Sequence, residues 1–240
     1  MLINKMGRED TKNNSKKAII FDAGTLISLS MNGLLDELQR LKRIFNGDFL
    51  ITEQVKYEII DRPLKIKCFE LEALKVQQLF EDKTLMMAES YGISNSLISS
   101  KTEEIMNIAN NLFINSRNRV NIMQLGEASC LALSKILSDK GVYNVIAIDE
   151  RTTRMLVEKP ENLKDLLERK LHTSIVLVKK DFSYFKDFKV IRSAELMYVA
   201  WKKNLIDVKK GEVLDALLYA LKYKGCSISD EEINEIKRMN

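Results

Sequence analysis

The stretch Lys17–Asp22, KAIIFD, sets the fold: four consecutive apolar residues end on an aspartate. A short run that is apolar at successive positions fits a strand covered on both faces, as in a parallel sheet. The pattern returns at NVIAID (144–149), which again closes on an acid. Further strand-like runs are DFLIT (48–52), TLMMA (84–88), SIVLVK (174–179, read as another buried strand) and KVIRS (189–193).

Between these runs the apolar residues take helical spacing. GTLISLSM and NGLLDELQRLKRI follow the first strand, and Thr52 caps EQVKYEII, which ends at Pro63. Residues 66–80 form a further amphipathic helix. Residues 91–100 read as a loop, with Ser100 or Thr102 capping a helix that runs to Ile114. EASCLALSKILSD, ERTTRMLVEK, the segment from Pro160 to about Leu171, and stretches near 193–204, 211–223 and 229–239 complete the set. Strand and helix alternate throughout, which predicts an α/β fold with a mainly parallel sheet between helical layers. Residues 1–16 read as a flexible tail and 17–240 as one domain, with helical elaboration over about 63–120.

The 240 residues are 45% hydrophobic and 30% charged, enough for one sizeable core. The formal charge of +4 is compatible with a polyanionic partner without demanding one. Three scattered cysteines without a CxxC pair give no zinc knuckle or disulfide framework. His172, the single histidine, leaves no basis for a His-rich zinc site or a Ser-His-Asp triad. No segment reaches the ~18 apolar residues of a membrane span, and the first residues lack an apolar core, so a soluble cytoplasmic chain is expected.

In an open parallel sheet, functional groups collect at the carboxyl ends of the strands. Asp22 and Asp149 fall there. Glu58, on the helix after DFLIT, and Glu127, in the first turn of the helix before NVIAID, lie within reach of the same edge. Clustered carboxylates repel one another, and burial sharpens the repulsion. A hard divalent cation relieves it, and Mg²⁺ or Mn²⁺ on oxygen ligands suits phosphodiester hydrolysis. Singly, each acid has a simpler role: Asp22 as a helix cap, Glu127 facing a helix dipole, Glu58 in a surface ion pair.

Taken in order, these residues resemble the PIN-domain family of ribonucleases. IIFDAGTLISL supplies the first aspartate and its small turn, ITEQVKYEII the glutamate after strand two, LGEASCLALSK the glutamate opening a central helix, and VIAIDERTTR the aspartate after a strand, followed by Glu150 and Arg151. The match covers roughly residues 17 to 205, and the C-terminal stretches look like the tail of archaeal and bacterial members. The resemblance implies a Rossmann-like sheet and Mg²⁺ or Mn²⁺ held by Asp22, Glu58, Glu127 and Asp149. It also implies endonucleolytic cleavage of single-stranded RNA, with a homodimer, a toxin-like role and an antitoxin-like partner among its expectations. Ile148 departs from the family, which often carries Thr or Ser before the fourth acid. Thr25 or Thr152 is the substitute hydroxyl.

Arg151 and Arg154, just beyond Asp149, are candidates for holding the RNA backbone, as are Lys16, Lys17, Arg40, Lys42, Arg43, Lys179, Lys180, Lys202, Lys203, Lys209 and Lys210. FDAGTL also resembles the phosphatase loop of haloacid-dehalogenase enzymes, but Ile20 stands where their nucleophile would be. No GxxxxGK[ST] or GxGxxG motif is present. The remaining alternative is a catalytically silent module of the same fold that binds RNA or protein.

Overall fold

The computed structural model describes residues 16–116, 118–209 and 211–239. The tail expected at the N-terminus therefore lies outside the described residues except for Lys16, as does Lys210.

The chain runs β1 (Lys17–Phe21), α1 (Ala23–Met31), α2 (Leu35–Ile44), β2 (Asp48–Ile51) and α3 (Glu53–Lys56), which continues as a π-turn over Tyr57–Asp61. It goes on through α4 (Glu70–Glu81), β3 (Met86–Met87), α5 (Asn95–Ala109), β4 (Phe113–Asn115), β5 (Asn118–Arg119), α6 (Leu125–Asp139) and β6 (Tyr143–Ala147). Then follow α7 (Arg151–Glu158), α8 (Leu163–Leu171), β7 (Ile175–Leu177), β8 (Val190–Ile191), α9 (Ser193–Lys202), α10 (Val213–Tyr223) and α11 (Asp230–Arg238). Five strands form one parallel sheet in the order β3-β2-β1-β6-β8. Helices flank it, so the α/β expectation holds, with a Rossmann-like arrangement.

β1 lies at the centre because its side chains can be dry on both faces. Ala18, Ile20 and Phe21 are fully buried and Ile19 nearly so. The Phe21 ring packs on Phe49 of β2 with centroids 5.1 Å apart. Burying each such ring contributes about 1.5–3 kcal/mol. β6 joins β1 in register, Lys17 opposite Tyr143 through Phe21 opposite Ala147. Its one polar side chain, Asn144, is satisfied by Ser134, Ser138 and the Val142 carbonyl.

The structure corrects two expectations. SIVLVK is not a buried strand of the main sheet. Residues 175–177 pair antiparallel with β4 in a separate three-stranded sheet, β5-β4-β7. Ile175 is buried but Val176 and Val178 are exposed, so this run is a half-solvated ribbon. The helix expected from about residue 100 begins at Asn95, where the Ser94 hydroxyl accepts from the Leu97 N–H. It stops at Ala109 rather than Ile114; the Asn110 side chain takes the Ile122 N–H, and Phe113–Asn115 becomes a strand. Within the region 63–120, the strand-like run TLMMA supplies an edge strand of the main sheet at Met86–Met87, as its sequence suggested. Among the described residues no helix is long and apolar enough to cross a membrane.

Candidate metal centre

The backbone at the end of β1 stays extended through Asp22 (φ −79°, ψ 155°), whose N–H donates to the Ala147 carbonyl. The Asp22 side chain then turns back to cap α1, with Oδ2 accepting the Gly24 N–H at 3.0 Å. A β-carbon at Gly24 would lie 3.2 Å from that oxygen, so the small residue of the turn lets the carboxylate close over the helix end. Asp22 is 5% exposed. Burial, aided by the charges of Glu127 and Glu58, pushes its pKa up to about 7.

Glu58 sits on the π-turn that continues α3; such turns often mark functional positions. Its Oε1 accepts from the Gln54 side chain at 2.8 Å. A β-carbon on Gly126 would stand 2.8 Å from Glu58 Oε2, so the start of α6 admits this carboxylate only because residue 126 is glycine. The two helices are tied together by the Thr52 hydroxyl. It accepts the Val55 N–H as the cap of α3 and lies 2.7 Å from the Ser129 hydroxyl, which in turn donates to the Gly126 carbonyl.

Glu127 closes a capping box at the head of α6, its Oε2 accepting the Gln124 N–H at 3.0 Å. The same oxygen accepts from the Thr153 hydroxyl at 2.7 Å. Burial raises its pKa despite these two bonds. The Cys130 thiol, one turn further along α6 and fully buried, is pushed far up by burial and by the charges of Asp22, Glu58 and Glu127 together. Three of the four expected acids are therefore electrostatic neighbours.

Asp149 is not among them, and the register explains why. Phe21 faces Ala147, so the position level with Asp22 is Ile148. Side chains alternate along a strand, which sends Asp149 to the opposite side. There its two oxygens accept the Ser193 N–H at 2.8 Å and the Ser193 hydroxyl at 2.7 Å, and its carbonyl accepts the Ser227 N–H. Burial raises its pKa, and no charge from Asp22, Glu58 or Glu127 figures among the causes. Ile148, 1% exposed, gives the Asp22 side an apolar side chain.

Glu150 returns to the Asp22 side by the same alternation. As N-cap of α7 it accepts the Thr153 N–H at 2.8 Å, so Thr153 links it to Glu127, whose pKa it helps to raise. Lys170 Nζ stands 3.2 Å from Glu150 and 3.1 Å from the Thr152 hydroxyl. The sequence held one signal for Glu150, its place directly after Asp149 in VIAIDERTTR; Thr153 and Lys170 left none.

The other candidates are placed as follows. Thr25 is fully buried and its hydroxyl has no partner among the described residues. Arg151 is exposed, and Arg154 donates to the Ser227 carbonyl and pairs with Glu158. Both arginines line a cleft of about 680 Å³ shared with Cys226 and Glu232, on the flank where Asp149 is tied to Ser193.

Among the described residues, no three His, Cys, Asp or Glu side chains already form a group that could hold a metal ion. The donor type still fits Mg²⁺ or Mn²⁺, because such an ion takes oxygen ligands and commonly binds one or two carboxylates directly and the rest through water. Comparison of the chain with protein-family models, with curated proteins and with solved structures finds no match in any of the three.

Proposed function

We propose that the chain is a metal-dependent endoribonuclease of the PIN type acting on single-stranded RNA. The observation that carries it is the Asp22 carboxyl, pushed up to about 7 by burial beside Glu127 and Glu58. A carboxyl buried beside two further acids costs stability that Lys170, acting on Glu127 and Glu150, offsets only in part, and a bound cation would relieve it. Mg²⁺ or Mn²⁺, when bound, would polarise a phosphoryl oxygen and lower the pKa of a water. Asp22 and Glu127 are the ligands this reading favours, with Glu58 and Glu150 holding water around the ion.

The chain's own groups set the rest of the chemistry. Thr153 fixes the Glu127 carboxylate by a 2.7 Å hydrogen bond and so sets which of its oxygens faces the acids. Gln54 steadies Glu58 in the same manner. Ile148 supplies an apolar wall where a hydroxyl would otherwise order water. Asp149 holds β6 to the start of α9 and takes no part at the phosphate. A homodimer, a cytoplasmic setting and an antitoxin-like partner belong to the same proposal.

A second reading, a catalytically silent RNA- or protein-binding module, is favoured by the lack of a preformed metal group among the described residues and by the saturated Asp149. The two part on one experiment. Wild type and Asp22→Asn are incubated with a mixed single-stranded RNA, with and without Mn²⁺. The nuclease reading expects cleavage by wild type with Mn²⁺ alone. RNA left intact under every condition supports the silent module.

A further inference from the structure

The π-turn that carries Glu58 also walls a groove that Asp22, Glu127 and Glu150 do not line. The groove, of about 470 Å³, lies between α1, the π-turn and the head of α4, and Glu58 lines one end of it. Its rim exposes Ile27 (42%), Met31 (51%) and the Phe69 ring (53%). Arg62 and Glu72 also line it, and Arg62 makes no ion pair among the described residues.

We propose that this groove takes the base and phosphate of a nucleotide next to the scissile one. The proposal rests on the ribonuclease reading, because Glu58 is the residue common to the acid cluster and the groove. An occupant that matches the lining has a flat apolar face for Phe69, Met31 and Ile27, an anion for Arg62 and a hydrogen-bond donor for the Glu72 carboxylate. A nucleotide has all three, its base offering an exocyclic amine or a ring N–H as the donor. Base stacking on an exposed aromatic is tolerant of sequence, so the groove would position the strand without strict base choice. A protein segment could meet the apolar wall and offer a carboxylate to Arg62, but Glu58 joins the groove to the acid cluster, where the RNA strand would already be held.

The probe is a fluorescein-labelled single-stranded RNA of mixed sequence containing 4-thiouridine. Binding is followed by anisotropy in EDTA and again in Ca²⁺, and photocross-links are mapped by mass spectrometry. Phe69→Ala is expected to weaken binding at least about fivefold, the lower end of what one lost stacking contact costs. Phe69→Trp keeps binding, and Leu74→Ala, an exposed change on α4 outside the groove, leaves it unchanged. Cross-links fall on the segments carrying Met31 or Phe69. Equal RNA binding by wild type and Phe69→Ala overturns the groove assignment, as does a failure of wild type to bind RNA in both conditions. So does a Phe69→Ala protein that only shifts from dimer to monomer in sedimentation, which gives the groove to a second copy of the chain. Mn²⁺-dependent cleavage, measured separately with Asp22→Asn as control, tells failure of the groove from failure of the nuclease reading.

Discussion

Asp22 and Asp149 close neighbouring strands of one sheet, yet they sit in opposite circumstances. Asp149 has a donor for each oxygen, both from Ser193, and its carbonyl holds Ser227. Asp22 meets only backbone N–H groups of its own turn, Gly24 and Ala23, and shares its corner with Glu58 and Glu127. Burial is similar, 5% and 2% exposed, so the difference lies in partners. A buried acid with matched donors knits the fold together; one surrounded by other acids costs stability until something positive arrives. The near-identical ends IIFD and AID thus mark two different jobs, separated by one residue of strand register.

The largest effect that can break this contrast is on chemistry. Asp22→Asn should lower Mn²⁺-dependent RNA cleavage by about three orders of magnitude or more, measured as initial rate per folded protein. Asp149→Asn should leave that rate within about threefold once the folded fraction is matched, because its carboxylate acts away from the acid cluster.

Burial raises both carboxyls, so both should cost stability as pH rises, and Asp22 has a defined window. The Asp22 carboxyl has a pKa of about 7 in the fold against 3.8 when free. Below pH ~4 both states hold the proton. As pH rises to 7 the unfolded chain releases it while the fold retains it, so stability is lost across that window, of order 4 kcal/mol in all. In EDTA, wild type should therefore melt lower at pH 7.5 than at pH 5. Asp22→Asn should flatten that slope and melt above wild type at pH 7.5. An unchanged slope in the variant would show that Asp22 is not the strained group.

Asp149→Asn has the opposite sign, because the amide cannot accept both Ser193 donors. It should cost about 1–3 kcal/mol, seen as a lower melting temperature at pH 7.5 with or without Mn²⁺. The smallest expected change is at Gly126. Gly126→Ala puts a methyl 2.8 Å from Glu58 Oε2 and should swing that flexible carboxylate aside. Cleavage would fall by about three- to tenfold, with the melting temperature nearly kept, as read by paired kinetic and melting runs.

The sheet was legible because its central strands carry their burial in plain sequence: KAIIF and NVIA are apolar at successive positions, and the structure sets them side by side. Thr52 was readable as a cap for the same local reason. SIVLVK misled because three apolar residues alternate with exposed ones only after pairing with Phe113–Asn115, a partner remote in sequence. The acids divided likewise. Asp22 and Glu127 could be grouped from a strand end and a helix start, and Glu58 mainly from the resemblance. The orientation of Asp149 depends on which residue of β6 lies level with Phe21, and strand register is a tertiary property that spacing alone does not carry. Ser193, which claims Asp149, is 44 residues away along the chain.

Mn²⁺ binding, titrated by electron paramagnetic resonance on wild type, Asp22→Asn and Asp149→Asn at pH 7.5, tests the division of labour most directly. The expected result is saturable binding by wild type and by Asp149→Asn, and its loss in Asp22→Asn. Loss in Asp149→Asn with binding retained in Asp22→Asn would contradict it.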